Sequence, residues 1–182
     1  MLSVNLEKEL KNYISFMKIA GELKNSLTNG PGLRYVLFLQ GCRHKCQGCH
    51  NKHTWSFSDG YNKTIDEIIK DIAEIEPIID GITLSGGDPL EQATELLLLI
   101  NAIKVKFPQL NILLYTGSKY DDLKPFNICR GNLCDDKWLV IEAIDILIDG
   151  RYEKDNPTNK KYRGSDNQRM LYLKNGEITK EE

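Results

Sequence analysis

Cys42, Cys46 and Cys49 fall within one short loop, Gly41-Cys-Arg-His-Lys-Cys-Gln-Gly-Cys-His-Asn51, directly after the apolar run Tyr35-Val-Leu-Phe-Leu-Gln40. The C-x3-C-x2-C spacing puts the three thiols on one tight turn, where they can converge as metal thiolates must. Three thiolates around a four-iron cluster leave one iron without a protein ligand, and an iron with an open position can bind a substrate. An iron–sulfur cluster is the reading the loop favours, and other chemistry competes for it. Structural zinc closes with four ligands, and His44, His50 or His53 offers a fourth. Cys46-Gln-Gly-Cys49-His50 matches the c-type haem attachment pattern. That chemistry belongs to exported proteins, and Met1-Leu-Ser-Val-Asn-Leu-Glu-Lys-Glu carries acids where an export signal needs an apolar core. Five cysteines is an odd number, and nothing points to an oxidising compartment, which argues against a disulfide framework.

At 182 residues, with 41% hydrophobic and 27% charged side chains, the chain suits one globular domain with a substantial core. A formal charge of −2 gives no overall pull toward nucleic acid or an anionic membrane. The longest apolar run, Leu96-Leu-Leu-Leu-Ile100, falls far short of the ~20 residues a membrane span needs. The expected setting is the cytoplasm, with no nucleic-acid and no membrane partner.

Residues 1–16 read as an amphipathic helical extension, with Leu6, Leu10, Ile14 and Phe16 loosely on one face. Lys18–Leu27 reads as a short strand leading to the Asn29-Gly-Pro-Gly32 turn. Arg34–Gln40 is a near-continuous apolar strand of the kind buried on both faces in a parallel sheet. Thr64-Ile-Asp-Glu67 is a capping box, and Ile65, Ile68, Ile69, Ile72 and Ala73 form the buried stripe of the helix it opens. A strand over Asp80–Leu84 follows, then the turn Ser85-Gly-Gly-Asp88 and a helix from Pro89 to about Phe107. Further strands are expected at Asn111–Tyr115 and Asp145–Ile148, with a short helix at Lys137–Ala143 between them.

This alternation predicts an α/β fold, a partial (open) parallel (β/α) barrel, since there are too few units to close eight strands. The expected core domain spans 17–175, with a tail at 176–182. Ligands of such sheets bind at the carboxyl ends of the strands. The cysteine loop, Gly86-Gly87-Asp88, Thr116-Gly117 and Asp149-Gly150 all fall there. Cys129 and Cys134, in the irregular stretch 119–137, read as free thiols.

The chain resembles the radical S-adenosylmethionine (SAM) enzymes, whose defining loop follows the first barrel strand. More narrowly it resembles the activating proteins of anaerobic ribonucleoside-triphosphate reductases. Four segments carry the likeness: Asn29–Arg34, Phe38–Trp55, Leu84–Leu90, and Asp149-Gly-Arg151 followed by Arg163-Gly-Ser-Asp-Asn-Gln-Arg169. The resemblance implies a [4Fe–4S] cluster on Cys42, Cys46 and Cys49, with SAM chelated to the fourth iron. Reductive cleavage of SAM would then give a 5′-deoxyadenosyl radical that takes a hydrogen atom from a glycine of the reductase.

It further implies that Gly86 and Gly87 approach the methionine moiety and that Asp88 accepts from its ammonium group. In the family the position of Asp88 is more often Glu. Gly48 and His50, beside Cys49, would lie against the adenine, though relatives often carry an aromatic there. Thr116 and Gly117 would neighbour the ribose or methionine, and Asp149 would bond a polar group of SAM or cap a turn. Arg163, Asn167, Gln168 and Arg169 would close the barrel or dock the partner. An external flavodoxin or ferredoxin would supply electrons. Alternatives of the same superfamily are an activase of pyruvate formate-lyase, which shares Cys49-His50-Asn51, and a small enzyme acting on a pterin or deazapurine precursor. The non-enzyme alternative is a zinc or electron-transfer module.

Overall fold

The computed structural model describes residues 15–125 and 135–182. The helix expected over 1–16 lies outside the described residues except for its last two. Of these, Phe16 opens a strand.

Among the described residues eight strands form one sheet in the order β3-β1-β2-β4-β5-β6-β7-β8. They are β1 (Phe16–Ser26), β2 (Arg34–Leu39), β3 (Tyr61–Thr64), β4 (Gly81–Gly86), β5 (Asn111–Tyr115), β6 (Ile146–Asp149), β7 (Arg169–Lys174) and β8 (Glu177–Glu181). The central four, β2-β4-β5-β6, pair in parallel. The outer strands are antiparallel, which corrects the expectation of a wholly parallel sheet. For the pairs β1–β2 and β7–β8 the reason is connection length. The turn between β1 and β2 and the Asn175-Gly176 turn between β7 and β8 are too short for the crossover a parallel pair requires. The segment beyond 175 is therefore joined to the sheet as its edge strand.

Among the described residues four helices accompany the sheet: α1 (Ile65–Ile75), α2 (Ala93–Lys106), α3 (Tyr120–Leu123) and α4 (Asp136–Ala143). Helix α1 starts where the sequence places it. The Thr64 hydroxyl accepts from the Glu67 N–H at 3.1 Å, and the Glu67 carboxylate accepts from the Thr64 N–H at 2.8 Å. Ile68, Ile69 and Ile72 are buried, whereas Ala73 is exposed, so the stripe is narrower than expected. The helix expected from Pro89 begins instead as a 3-10 turn over Pro89–Gln92. Its last side chain, Gln92, accepts from the Lys18 N–H and donates to the carbonyls of Lys18 and Gln40. That bridge joins the ends of β1 and β2 and holds the chain out of α geometry for one turn.

Alternation along the strands gives the sheet two different faces. Leu37, Leu39, Ile82, Leu84, Ile112, Leu114 and Leu147 join the helix residues in the main core. Within it Leu96, Leu99, Ile100 and Ile103 are fully buried, each contributing about 1.5–3 kcal/mol. Leu113, Ile146, Ile148 and Met170 form a second cluster on the other face, flanked by Tyr115, Tyr162 and Tyr172. Tyr115 and Tyr162 of that face also border the cavity described next.

Candidate active site

Because β2, β4, β5 and β6 run parallel, their carboxyl ends share one edge, and Leu39 pairs with Gly86 at that edge. A cavity of about 450 Å³ opens there. The neck of the cysteine loop is tied shut before the loop enters it. The Gly41 N–H donates to the Thr54 carbonyl at 2.8 Å and the Cys42 N–H to the Trp55 carbonyl at 3.2 Å. Beside them, the buried Gln40 amide donates to the carbonyls of His53 and Ser56.

All three cysteines line this cavity, and all three are free thiols. Among the described residues, no group of three His, Cys, Asp or Glu side chains comes close enough together to hold a single metal ion. The three thiols share one chamber, and three is the number of donors that a four-iron cluster with one open iron takes. Burial pushes the Cys42 thiol above its ordinary value, and the nearby backbone N–H groups of His44 and Lys45 only partly oppose that rise. The Asn51 N–H reaches Cys49 Sγ at 3.4 Å. Hydrogen bonds to sulfur of this kind stabilise thiolate ligands and tune clusters. The donor set fits a [4Fe–4S] cluster.

Of the residues that the resemblance sets against SAM, His50, Gly86, Gly87 and Thr116 line the same cavity; Gly48 and Asp88 do not. Gly48 packs against the aliphatic stem of Lys154. Asp88 stands one layer behind the wall, 2% exposed, with both oxygens engaged. Thr116 Oγ1 lies 3.0 and 2.8 Å from them, the N–H groups of Leu90 and Gly117 donate at 3.0 and 3.2 Å, and His44 Nε2 sits at 2.5 Å.

The glycines of Gly86-Gly87 serve the protein's own backbone. A Cβ on Gly87 would stand 2.2 Å from the Gly41 carbonyl oxygen, and one on Gly86 2.5 Å from Leu39 N and O. They let the end of β4 press against the root of the cysteine loop, where the Asp88 N–H donates to the Gly41 carbonyl at 2.9 Å. Gly87→Ala is therefore expected to push the loop away. Iron bound per chain after reconstitution should fall by more than half, against a stability loss of roughly 1–3 kcal/mol. Undiminished iron loading would show that this approach is not needed.

The segment after β6 walls the cavity from the opposite side. Tyr152 packs its ring on His50, with centroids 5.1 Å apart and planes tilted by 48°. Tyr115 donates to the Tyr162 carbonyl at 2.8 Å, and burial raises its phenol well above the ordinary range. Gln168 closes the segment on itself, donating to the Gly150 carbonyl at 2.9 Å and accepting from the N–H groups of Gly164 and Ser165. Asn167 donates to the Arg151 carbonyl at 2.8 Å. Arg169 grips Asp149 through two bonds of 3.1 and 2.5 Å, and Asp149 also accepts from the Tyr120 N–H. Asp149 is thereby engaged within the protein, at 1% exposure, capping the turn before Tyr120. Of the polar C-terminal signature, Asn167, Gln168 and Arg169 take closing roles. Arg163 donates to the Glu182 carbonyl and borders the cavity.

His44 and Tyr152 are site residues that the sequence reading did not single out for ligand contact. The signal for Tyr152 was its place three residues after the end of β6. Cys129 and Cys134 lie outside the described residues.

Known proteins share this architecture of motifs. A family model described as a 4Fe-4S single cluster domain matches residues 28–171. The anaerobic ribonucleoside-triphosphate reductase-activating protein of Enterobacteria phage T4 is 41% identical over 146 residues, covering 78% of this chain and 85% of its own. The protein of the same name from Escherichia coli K12 is 35% identical over 154 residues, covering 81% and 94%. Among solved structures, QueE from Escherichia coli aligns with a TM-score of 0.48 at 16% identity, over 57% of this chain and 53% of its own.

Proposed function

This chain belongs to the family of anaerobic ribonucleoside-triphosphate reductase-activating proteins, and we infer from its site how it performs that family's chemistry. It is a radical SAM activase whose cofactors are a [4Fe–4S] cluster and SAM, and whose protein substrate is the anaerobic reductase. The observation that carries the assignment is the arrangement of three thiols, one of them accepting a backbone N–H bond, around one cavity at the carboxyl edge of the parallel strands. The family match favours the cluster over zinc and haem for the same cysteines.

Cys42, Cys46 and Cys49 would hold three irons. When bound, the cluster supplies the electron that cleaves SAM reductively, the reaction that arms the enzyme to take a hydrogen atom from a reductase glycine. The chain's own residues bind, orient and enclose. Gly86, Gly87 and Thr116 border the space on the β4 and β5 side, and His50, seated on Tyr152, offers an aromatic surface for the adenine beside Gly48. Asp88 supplies negative charge toward the ligand's ammonium group from behind His44 and Thr116.

Several finer points belong to the same proposal. The sheet acts as a partial barrel open at one side, which suits a substrate that is the backbone of another protein. The chemistry resides in 17–175, with 1–16 and 176–182 as flanks. A low-potential flavodoxin or ferredoxin delivers electrons, and the enzyme works in the cytoplasm; among the described residues no helix is long and apolar enough to cross a membrane.

The test is anaerobic reconstitution with iron and sulfide, reduction with dithionite, and addition of SAM and the reductase. We expect 5′-deoxyadenosine together with a glycyl-radical doublet by electron paramagnetic resonance. Deoxyadenosine without the doublet would reject the reductase as client, and absence of both would reject the radical SAM assignment.

A further inference from the structure

Given the cluster-loop assignment above, we propose that His44 is a positioning residue, whose imidazole fastens the Cys42–Cys46 turn to Asp88 and so keeps thiols and carboxylate at one spacing. His44 stands in the loop two residues from both Cys42 and Cys46, and its ring Nε2 lies 2.5 Å from Asp88 Oδ2. One residue therefore couples the cluster loop to the carboxylate on the end of β4.

The far side of the contact is equally built. Asp88 is held by Thr116 Oγ1 and by the N–H groups of Gly117 and Leu90, so it does not swing to follow the loop. Gly117 makes the room for the ring: a Cβ there would stand 2.5 Å from His44 Cδ2 and 2.7 Å from Nε2. Since Gly117 is also the residue that donates to Asp88, the end of β5 shapes both partners of the bond. The neighbouring pair Arg43–Glu91, at 2.8 Å, also runs from the loop to the Pro89–Gln92 turn. It differs in burial: the Arg43 side chain is 75% exposed, that of His44 16%. Exposed pairs contribute little, and a hydrogen bond to a buried carboxylate contributes more.

The contact is made between two of the chain's own side chains, so it is tested on the cofactor-free protein. In the cofactor-free full-length protein, kept reduced under argon, the rate of alkylation by iodoacetamide is measured at Cys42 by peptide mass spectrometry. His44→Ala should speed it by about tenfold, the factor expected for losing one hydrogen bond to a charged group. His44→Gln, which keeps a side-chain N–H donor, should restore the slow rate, and Arg43→Ala should leave it unchanged. Cys42 reacting in His44→Ala at the unaltered rate would overturn the proposal, as would His44→Gln reacting as fast as His44→Ala. Gly117→Ala crowds the ring without touching the loop sequence, and it decides the question in the same way should His44→Ala fail to fold. The cluster assignment fails separately, if the unaltered protein takes up no iron on reconstitution.

Discussion

Cys42→Ala, Cys46→Ala and Cys49→Ala proteins should each lose reductive cleavage of SAM by roughly a thousandfold or more, a barrier increase of about 4 kcal/mol. The size of the effect follows from the donor count. The loop offers three thiols to the cavity, and a four-iron cluster with one site-differentiated iron needs all of them. Removing any one leaves a second iron open and the cluster prone to fall apart. Iron per chain should drop in parallel, measured on the same reconstituted samples as 5′-deoxyadenosine. Cys129→Ala and Cys134→Ala should keep most of the activity, because those cysteines lie outside the motif. Full activity in Cys46→Ala would sink the cluster assignment, since no other described cysteine remains to replace it.

The three substitutions should differ in what else they disturb. Cys42 is buried at 8% exposure beside the tied neck of the loop, whereas Cys46 and Cys49 are partly exposed. The Cys42 variant empties space in a buried position, so it should lower stability most, by about 1–3 kcal/mol.

What was legible in the sequence was what depends on local pattern. The capping box fixed the start of α1, and the strand Asn111–Tyr115 was read to the residue, since an isolated apolar run between a Pro-containing turn and Thr-Gly has few alternatives. The cysteine loop, the Gly-Gly-Asp turn and Thr116-Gly117 were placed on one edge because parallel strands align their ends. The β7–β8 hairpin was missed, though Asn175-Gly176 is a strong signal for a two-residue turn and both residues adopt positive φ. The strand after it alternates poorly, and all five of its residues are exposed.

The roles of Asp88 and Asp149 were beyond local pattern altogether. Both are carboxylates at strand ends, and only the fold shows that Asp149 is consumed by Arg169 and that His44 stands before Asp88. A carboxylate's availability depends on partners far away in sequence, 20 and 44 residues here. The glycines carry the same lesson: Gly86 and Gly87 were read as space for a ligand, and the closest atoms they admit are protein backbone.

Arg34→Met should destabilise the protein by about 3 kcal/mol, the largest stability effect expected from a polar residue outside the cavity wall. Arg34 opens β2, and the apolar run it precedes gives no hint that it is completely buried. Among the described residues no carboxylate pairs with its guanidinium. Nε donates to Thr83 Oγ1 at 2.6 Å, Nη1 to the Pro31 carbonyl and Asn111 Oδ1 at 2.9 and 2.8 Å, and Nη2 to the carbonyls of Ile82 and Asn111 at 2.7 and 3.2 Å. These five acceptors come from the turn before β2, from β4 and from β5, so one side chain crosslinks the amino ends of three central strands. Burial lowers its pKa to about 10, which leaves it charged at neutral pH.

The sign of the mutation rests on two opposed magnitudes. Hydrogen bonds from a charged donor are worth at least roughly 1.5 kcal/mol each, and burying the ion costs several kcal/mol. With all five donors used the bonds win, and a methionine, which relieves the ion cost but leaves five acceptors unpaired, loses the difference. The melting temperature should fall by about 6–12 °C for a domain of this size, and the urea midpoint should fall with it. The effect should reach the site as well. Thr83 passes the chain of bonds on to the Asn29 carbonyl at 2.7 Å, and Asn29 borders the cavity. A weaker affinity for SAM in Arg34→Met, at a temperature where the variant is fully folded, would show that the floor of the sheet holds the cavity in shape. An unchanged urea midpoint would mean that the five bonds only offset the desolvation of the ion.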